Sequence, residues 1–302
     1  MKQNRLGSSD LTVSEIGLGC MSLGTEETEA VAIIHEALEC GITLLDTADL
    51  YDGGRNEELV GLAVRGRRAD VVIATKVGNR RVPGKEGWTW DPSKAYIHAA
   101  VRESLRRLGT DYIDLYQLHG GTIDDPMEET IEAFEELKRD GLIRHYGISS
   151  IRPNVIREYA KRSSIVSVMS QYSMLDRRPE EETLPLLAER GIGLIARGPL
   201  AGGILTEAGA GKANRQYLDY SPLELPETRR RLAELVSGER TLAQTAIRYA
   251  LSEPGVSTAI PGASNIEQLR QNVSASKAAP LTAEERAAIR AATKANQYAD
   301  HR

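Results

Sequence analysis

Four side chains capable of proton chemistry stand where apolar runs of the chain give way to polar ones. Asp46 and Tyr51 follow the apolar run in TLLDTADLY, Lys76 closes VVIATK, and His119 closes IDLYQLH. Each run reads as a buried strand, so these residues are expected where a strand ends and a loop begins. A buried ammonium needs an anion, and Asp46 would keep Lys76 charged and in place. A tyrosine with a pKa of about 10 is protonated at neutral pH but donates its proton sluggishly. A lysine ammonium beside it stabilises the phenolate and eases that donation. His119 can donate a hydrogen bond to a substrate oxygen as negative charge builds there. Together the set can protonate an alkoxide, a contribution of about 10²–10⁴-fold. The hydride such a reaction needs has no side-chain source, so a nicotinamide or flavin has to carry it. Taken singly, each residue also has a structural reading: the aspartate as a loop cap, the tyrosine and histidine as packed side chains.

What would gather them is a repeating pattern. Short β-rich runs at 16–19, 43–45, 71–75, 113–118, 143–148, 166–170, 192–196 and 257–260 alternate with helical patterns. The helices are expected at about 27–40, 56–65, 92–108, 127–140, 155–162, 181–190, 242–252 and 266–274, with a partial one near 228–235. Eight such units without a break in composition predict one (β/α)8 barrel spanning 1–302. A hairpin at about 5–14 precedes it and a capped helix at about 283–295 follows it. An open dinucleotide-binding sheet would carry its glycine fingerprint directly after the first strand. Here Gly17 and Gly19 lie inside that strand, and the run Gly198, Pro199, Leu200, Ala201, Gly202, Gly203 follows the seventh.

In a barrel the loops at the strand C-termini build the site, so all four residues fall on one rim. Ser149 and Ser150 end the fifth strand, Gln171 the sixth and Arg197 the seventh. The eighth ends in Ile260, Pro261, Gly262, Ala263, Ser264 and Asn265 and runs into a helix whose first N–H groups could hold phosphate. Two connections are long: 78–91, which presents Trp88 and Trp90, and 198–240.

Composition excludes other classes. With 38 basic and 43 acidic residues the formal charge is -5, which offers no general basic surface to nucleic acid or anionic membrane. The clusters Arg65, Arg67, Arg68 and 229–231 read as ordinary helix and loop faces. Two cysteines, Cys20 and Cys40, make no disulfide framework and no zinc site; Cys40 is expected to pack and Cys20 to lie near the polar rim. No secretory or membrane-spanning segment is evident, so a soluble, cytoplasmic monomer is the expectation, with no metal and no required protein partner.

In LLDTADLY, ATK, GTDYIDLYQLH, GLIRHYGISS and IPGASNIEQLRQN, taken in order over about residues 5–272, the chain resembles the aldo-keto reductases. That resemblance implies a (β/α)8 barrel plugged by an N-terminal hairpin. It also implies reduction of aldehydes and ketones by a nicotinamide, usually NADPH, with NADH an alternative. The family's tetrad falls on Asp46, Tyr51, Lys76 and His119, with Tyr51 as proton donor. Ser149 and Gln171 match positions that hold the nicotinamide carboxamide, and Ser150 stands in place of a frequent asparagine. Gly202 and Leu205 fall near the pyrophosphate stretch, and Gln268 and Asn272 near the adenosine end. Met21, Tyr51, Trp88, Trp90 and the loop after Gly203 are the expected determinants of substrate choice, with only a short tail, 296–302, to close over the pocket.

Three features depart from the family pattern. Arg197 replaces a frequent stacking aromatic. The turn at Ser264 and Asn265 has no cation for a 2′-phosphate, Arg270 being expected to face solvent. Gly120 and Gly121 follow His119 and either ease a turn or enlarge the pocket. Some relatives bind nicotinamide chiefly as partners of another protein, so a regulatory subunit with little turnover is the competing expectation.

Overall fold

A computed structural model of the chain describes residues 1–82, 84, 87–236 and 240–302. Pro83, Lys85 and Glu86 of the 78–91 connection, and Ser237, Gly238 and Glu239 of the 198–240 connection, lie outside the described residues. A hairpin of β1 (Gln3–Arg5) and β2 (Thr12–Ser14) comes first. The chain then alternates β3 (Leu18–Gly19), α1 (Glu27–Glu39), β4 (Leu44–Asp46), α2 (Arg55–Ala63) and β5 (Val72–Val77). A small antiparallel ribbon, β6 (Asn79–Arg80) with β7 (Thr89–Trp90), precedes α3 (Lys94–Leu108). There follow β8 (Ile113–Leu118), α4 (Met127–Arg139), β9 (Ile143–Ser149), α5 (Pro153–Arg162), β10 (Ser167–Gln171), α6 (Thr183–Arg190) and β11 (Gly193–Arg197). After the long connection come α7 (Glu224–Glu234), α8 (Leu242–Leu251), β12 (Val256–Ile260), α9 (Ile266–Ser274) and α10 (Ala283–Ala292).

Strands β3, β4, β5, β8, β9, β10, β11 and β12 pair in that order, all parallel. Bridges from Ile16 to Ala259 and from Gly19 to Gly262 join the last strand to the first and close the barrel. The seam is tight: a Cβ on Gly19 would stand 3.1 Å from the Ile260 carbonyl oxygen. Closure therefore depends on the small residues that sequence reading noticed only as a missing fingerprint.

Period-2 alternation sorts the strand residues into two cores. Leu44, Val72, Ala74, Leu115, Met169, Ile195 and Ile260 point into the barrel, where Leu6, Leu11 and Val13 of the hairpin join them and plug its base. The intervening residues, such as Ile73, Val77, Tyr116, Leu118 and Ile148, face the helices.

Two helix boundaries differ from expectation by three residues or more. Helix α7 starts at Glu224 because Ser221 and Glu224 cap each other reciprocally, at 2.9 and 3.2 Å. Pro226 sits in that first turn, where a missing N–H costs nothing. Helix α10 stops at Ala292, three residues before the expected end, because Thr293 is extended and the Lys294 N–H turns away to the Tyr220 hydroxyl at 2.7 Å.

Candidate active site

The alternation that builds the inner core also assigns the polar groups above it. Asp46 is two residues beyond Leu44, Lys76 two beyond Ala74, Gln171 two beyond Met169 and Arg197 two beyond Ile195. Gln117 and then His119 follow Leu115 at the same spacing. Each therefore continues a lumen-facing row past the apolar layer to the C-terminal mouth. Tyr51 is the exception. It does not sit at a strand end but opens a helical turn beyond it, and the chain reverses at once through Asp52, Gly53 and Gly54, all at positive φ. A Cβ on Gly54 would stand 2.7 Å from Cδ of Arg107, so this turn needs glycine for space as well as for conformation.

The tetrad converges on Lys76. Its Nζ donates to both Asp46 carboxylate oxygens at 2.8 Å and to the Thr47 carbonyl at 2.7 Å, and it lies 3.3 Å from the Tyr51 hydroxyl. Thr47 is itself fixed by its hydroxyl's bond to Asn56, whose amide donates to the Cys20 carbonyl. The His119 ring meets the Tyr51 ring edge-on, with centroids 6.0 Å apart.

Electrostatics assign the protonation states. Burial alone would lower the Lys76 pKa, but the Asp46 charge and the hydrogen bonds outweigh it and hold the ammonium charged. Burial drives His119 down to about 3, helped by the positive charges of Lys76 and Arg197, so its imidazole is neutral. The Tyr51 result corrects the expectation of an acidified phenol. Lys76 does favour the phenolate, but burial is the larger effect, Asp46 opposes ionisation, and the phenol ends above its ordinary value. Tyr51 is accordingly a fully protonated hydroxyl beside a fixed cation, and the lysine's benefit falls to the phenolate once it forms.

Gln117 was missed by sequence reading. It is fully buried, pairs in register with Lys76, and neither polar atom of its amide has a hydrogen-bond partner among the described residues. Its signal was available in IDLYQLH, where it stands two residues before His119 on the same face.

The expected cofactor residues divide into groups. Gln171 and Arg197 pair in register on β10 and β11, and Arg197 Nη1 donates to Gln171 Oε1 at 3.0 Å. Ser149 and Ser150 are buried at the end of β9, with the Ser150 hydroxyl accepting from the Arg152 N–H. Gly198 and Gly202 turn at positive φ around Pro199 and Leu200, whereas the Leu205 side chain is buried in the outer core and offers a ligand only backbone. Above this turn lie two cations that sequence reading passed over. A Cβ on Gly202 would stand 3.0 Å from Arg215 Nη2, and one on Gly203 would stand 2.6 Å from Lys212 Nζ. Neither cation has a hydrogen bond or ion pair among the described residues. Unpaired cations over a bare glycine turn could hold an extended polyanion.

At the β12 turn the Pro261 carbonyl and Gly262 are engaged in the barrel seam, and Asn272 is buried, donating to the Gly262 carbonyl at 3.1 Å. Both the Ser264 hydroxyl and its N–H bond Gln268 at 3.0 Å, and Asn265 caps α9. Arg270 faces outward and binds Glu36 at 2.7 Å.

Of the expected substrate determinants, Met21 and Trp88 are exposed. Trp90 is anchored by its indole N–H to Asp125 at 2.9 Å, and its ring fills the space over Gly78 and Gly120. A Cβ at Gly120 would stand 3.3 Å from that ring, so this glycine serves a turn and the Trp90 packing rather than an enlarged pocket. Cys20 is fully buried with its thiol pushed up by burial, and so does not line an open pocket. Of the basic clusters, Arg68 reaches Asp114 at 2.6 Å and Arg229 bonds three carbonyls of the 204–207 segment, both structural uses. Among the described residues no cluster of His, Cys, Asp and Glu is placed to hold a metal, and no helix is long and apolar enough to cross a membrane.

A closed parallel barrel with Asp46, Tyr51, Lys76 and His119 at its mouth leads to comparison with known proteins. The Aldo/keto reductase family model matches residues 15–294, and the chain belongs to that family. It is 57% identical over 307 residues to "Uncharacterized oxidoreductase YqkF" of Bacillus subtilis, covering all of both chains. Aldo-keto reductase AKR11C1 from Bacillus halodurans in its holo form is 58% identical, with a TM-score of 0.95 over 100% of this chain and 99% of that one. The apo form of that protein scores 0.86 over the same shares, at 53% identity. The glycerol dehydrogenase AKR11B4 from Gluconobacter oxydans is 25% identical, with a TM-score of 0.84 over 96% of this chain and 94% of that one.

Proposed function

We propose that the chain is a reductase of small to medium aldehydes and some ketones, with NADPH as reductant and Tyr51 as proton donor. The observation that carries this is the convergence of Tyr51 and Asp46 on one buried ammonium, 3.3 and 2.8 Å away, beneath a neutral histidine. The residues present fit a dinucleotide. The Gln171 and Ser149 polar groups would take the nicotinamide carboxamide. Lys212 and Arg215 over Gly202 and Gly203 would take the pyrophosphate, and Ser264, Gln268 and Asn272 would lie toward the adenosine end. A bound reduced nicotinamide supplies the hydride.

The chain's own residues do the rest. His119, neutral and unable to act as the acid, donates a hydrogen bond to the substrate oxygen and orients it toward Tyr51. The Tyr51 hydroxyl gives its proton to that oxygen, and the Lys76 ammonium stabilises the phenolate left behind. Asp46 keeps the ammonium charged in a site where a lone cation would be costly. Met21 and Trp88 at the mouth favour an apolar substituent on the carbonyl.

The 2′-phosphate is the point at which a second reading has support. Arg270 is engaged by Glu36 and the β12 turn is uncharged, so NADH use with weak selectivity is the alternative. Parallel titrations with NADPH and NADH, followed by a panel of aldehydes, test both. Multiple turnovers with free cofactor exchange support the enzyme. Tight retention of cofactor without turnover on any carbonyl points instead to a regulatory subunit.

A further inference from the structure

The Gln171–Arg197 pair is held from outside the barrel. Gln171 Nε2 lies 3.1 Å from the Tyr217 hydroxyl. Tyr217 belongs to the long connection after β11 and closes a tight turn with Tyr220, through backbone bonds of 3.1 and 2.9 Å. That turn is gripped by the C-terminal tail. The Lys294 N–H donates to the Tyr220 hydroxyl at 2.7 Å, and its Nζ to the Asp219 carbonyl at 2.6 Å and to Glu224 at 3.0 Å. The Asn296 amide donates to the Asp219 carboxylate at 2.8 Å, while its oxygen accepts from the Arg177 N–H at 3.4 Å. Tyr298 is buried under the Arg178 guanidinium, which in turn chelates Asp176 in the loop after β10. The tail thus straps the loops after β10 and β11 together instead of folding over the mouth as a lid.

The consequence lies in the Gln171 amide. Arg197 can only donate, so its bond fixes Oε1 toward the guanidinium and leaves Nε2 facing Tyr217, whose hydroxyl oxygen can accept. One amide N–H and one carbonyl lone pair then remain, on a side chain that can no longer flip. A primary carboxamide presents the complementary acceptor and donor.

We propose that Tyr217 is a positioning residue of the site: its hydroxyl, carried on a turn clamped by the C-terminal tail, sets the orientation of the Gln171 amide and, through it, of Arg197. That the ligand so received is a nicotinamide carboxamide rests on the reductase reading; the positioning itself does not.

Two variants test this, Tyr217→Phe and Asn296→Ala, alone and combined. The readouts are the Gln171 side-chain amide resonances in selectively labelled protein, NADPH affinity and thermal stability. The structure predicts that both variants shift the Gln171 signals and speed their exchange. Tyr217→Phe should weaken NADPH binding roughly five-fold, the worth of one hydrogen bond, and the double variant should be no weaker than the single. Unmoved Gln171 signals in Tyr217→Phe, or effects that multiply in the double variant, would overturn the proposal. A drop in melting temperature without either change would assign the network to stability alone, and so would also overturn it. Should Tyr217→Phe not fold, unmoved Gln171 signals in Asn296→Ala have the same force. If the wild-type protein binds neither NADPH nor NADH, the reductase reading fails while the Gln171 signals still decide the positioning role.

Discussion

Replacing Asp49 with asparagine should remove a pH-dependent part of the fold's stability. Asp49 lies two residues before Tyr51, and its Oδ1 has no hydrogen-bond partner among the described residues. Glu57 on α2 faces it, already satisfied by Arg107 at 2.7 Å and Thr75 at 2.6 Å. Burial, followed by repulsion from Glu57, pushes Asp49 up to about 7, against the pull of Arg107 on α3 and Lys76 on β5. Tyr96 on α3 and Tyr116 on β8 complete its surroundings, both kept protonated. An unfolded aspartate ionises near pH ~3.9. Between about pH 4 and 7 the folded chain therefore holds a proton that the unfolded chain has lost, so stability falls as pH rises through this window and levels off above it. The full shift of about 3 units corresponds to a ceiling of ~4 kcal/mol. Asp49 is only partly buried, and solvent screening reduces the expected effect to about 1–2 kcal/mol. Urea unfolding of wild type and Asp49→Asn at pH 5, 6, 7 and 8 measures it. The two should differ by that amount in their change from pH 5 to 8, with the variant the more stable at pH 8. Parallel curves would mean that Asp49 ionises as an ordinary carboxylate, and the reasoning would be wrong.

Other expectations follow from the same geometry. His119, driven to about 3, should show no imidazole titration by NMR between pH 5 and 8; a midpoint near 6.5 would remove the argument that Tyr51 is the acid. Lys76→Met leaves the Asp46 carboxyl buried without its partner and should destabilise the fold by about 3–5 kcal/mol in denaturant titrations, while reducing carbonyl turnover at least 10²-fold. Lys212→Ala with Arg215→Ala should weaken NADPH binding and flatten its salt dependence, as measured by titration across ionic strength, while leaving the melting temperature within a few degrees because neither cation is paired.

The barrel was legible because its strands and helices alternate in a plain repeat, and the gathering of Asp46, Lys76 and His119 at one rim because they lie two, two and four residues beyond the lumen-facing apolar residues Leu44, Ala74 and Leu115. That spacing also holds for Gln117, which was overlooked because a lone glutamine inside IDLYQLH carries no chemistry of its own. The 206–217 segment hid Lys212 and Arg215 because their relation to Gly202 and Gly203 is set by an irregular path that no periodicity encodes. The end of α10 was misjudged for a related reason: the 293–295 sequence favours helix, but Tyr220, more than 70 residues earlier, takes the Lys294 N–H. The sign of the Tyr51 shift needed burial, which cannot be read from the neighbours LY and DG.

In the proposed reduction Tyr51 supplies the proton. NADPH oxidation in the presence of a small aldehyde, compared between wild type and Tyr51→Phe with cofactor affinity measured on the same samples, tests it most directly. Sustained turnover is expected in the wild type, and in the variant a loss of about 10²–10⁴-fold with cofactor binding within a few-fold. Turnover that survives in Tyr51→Phe would contradict it.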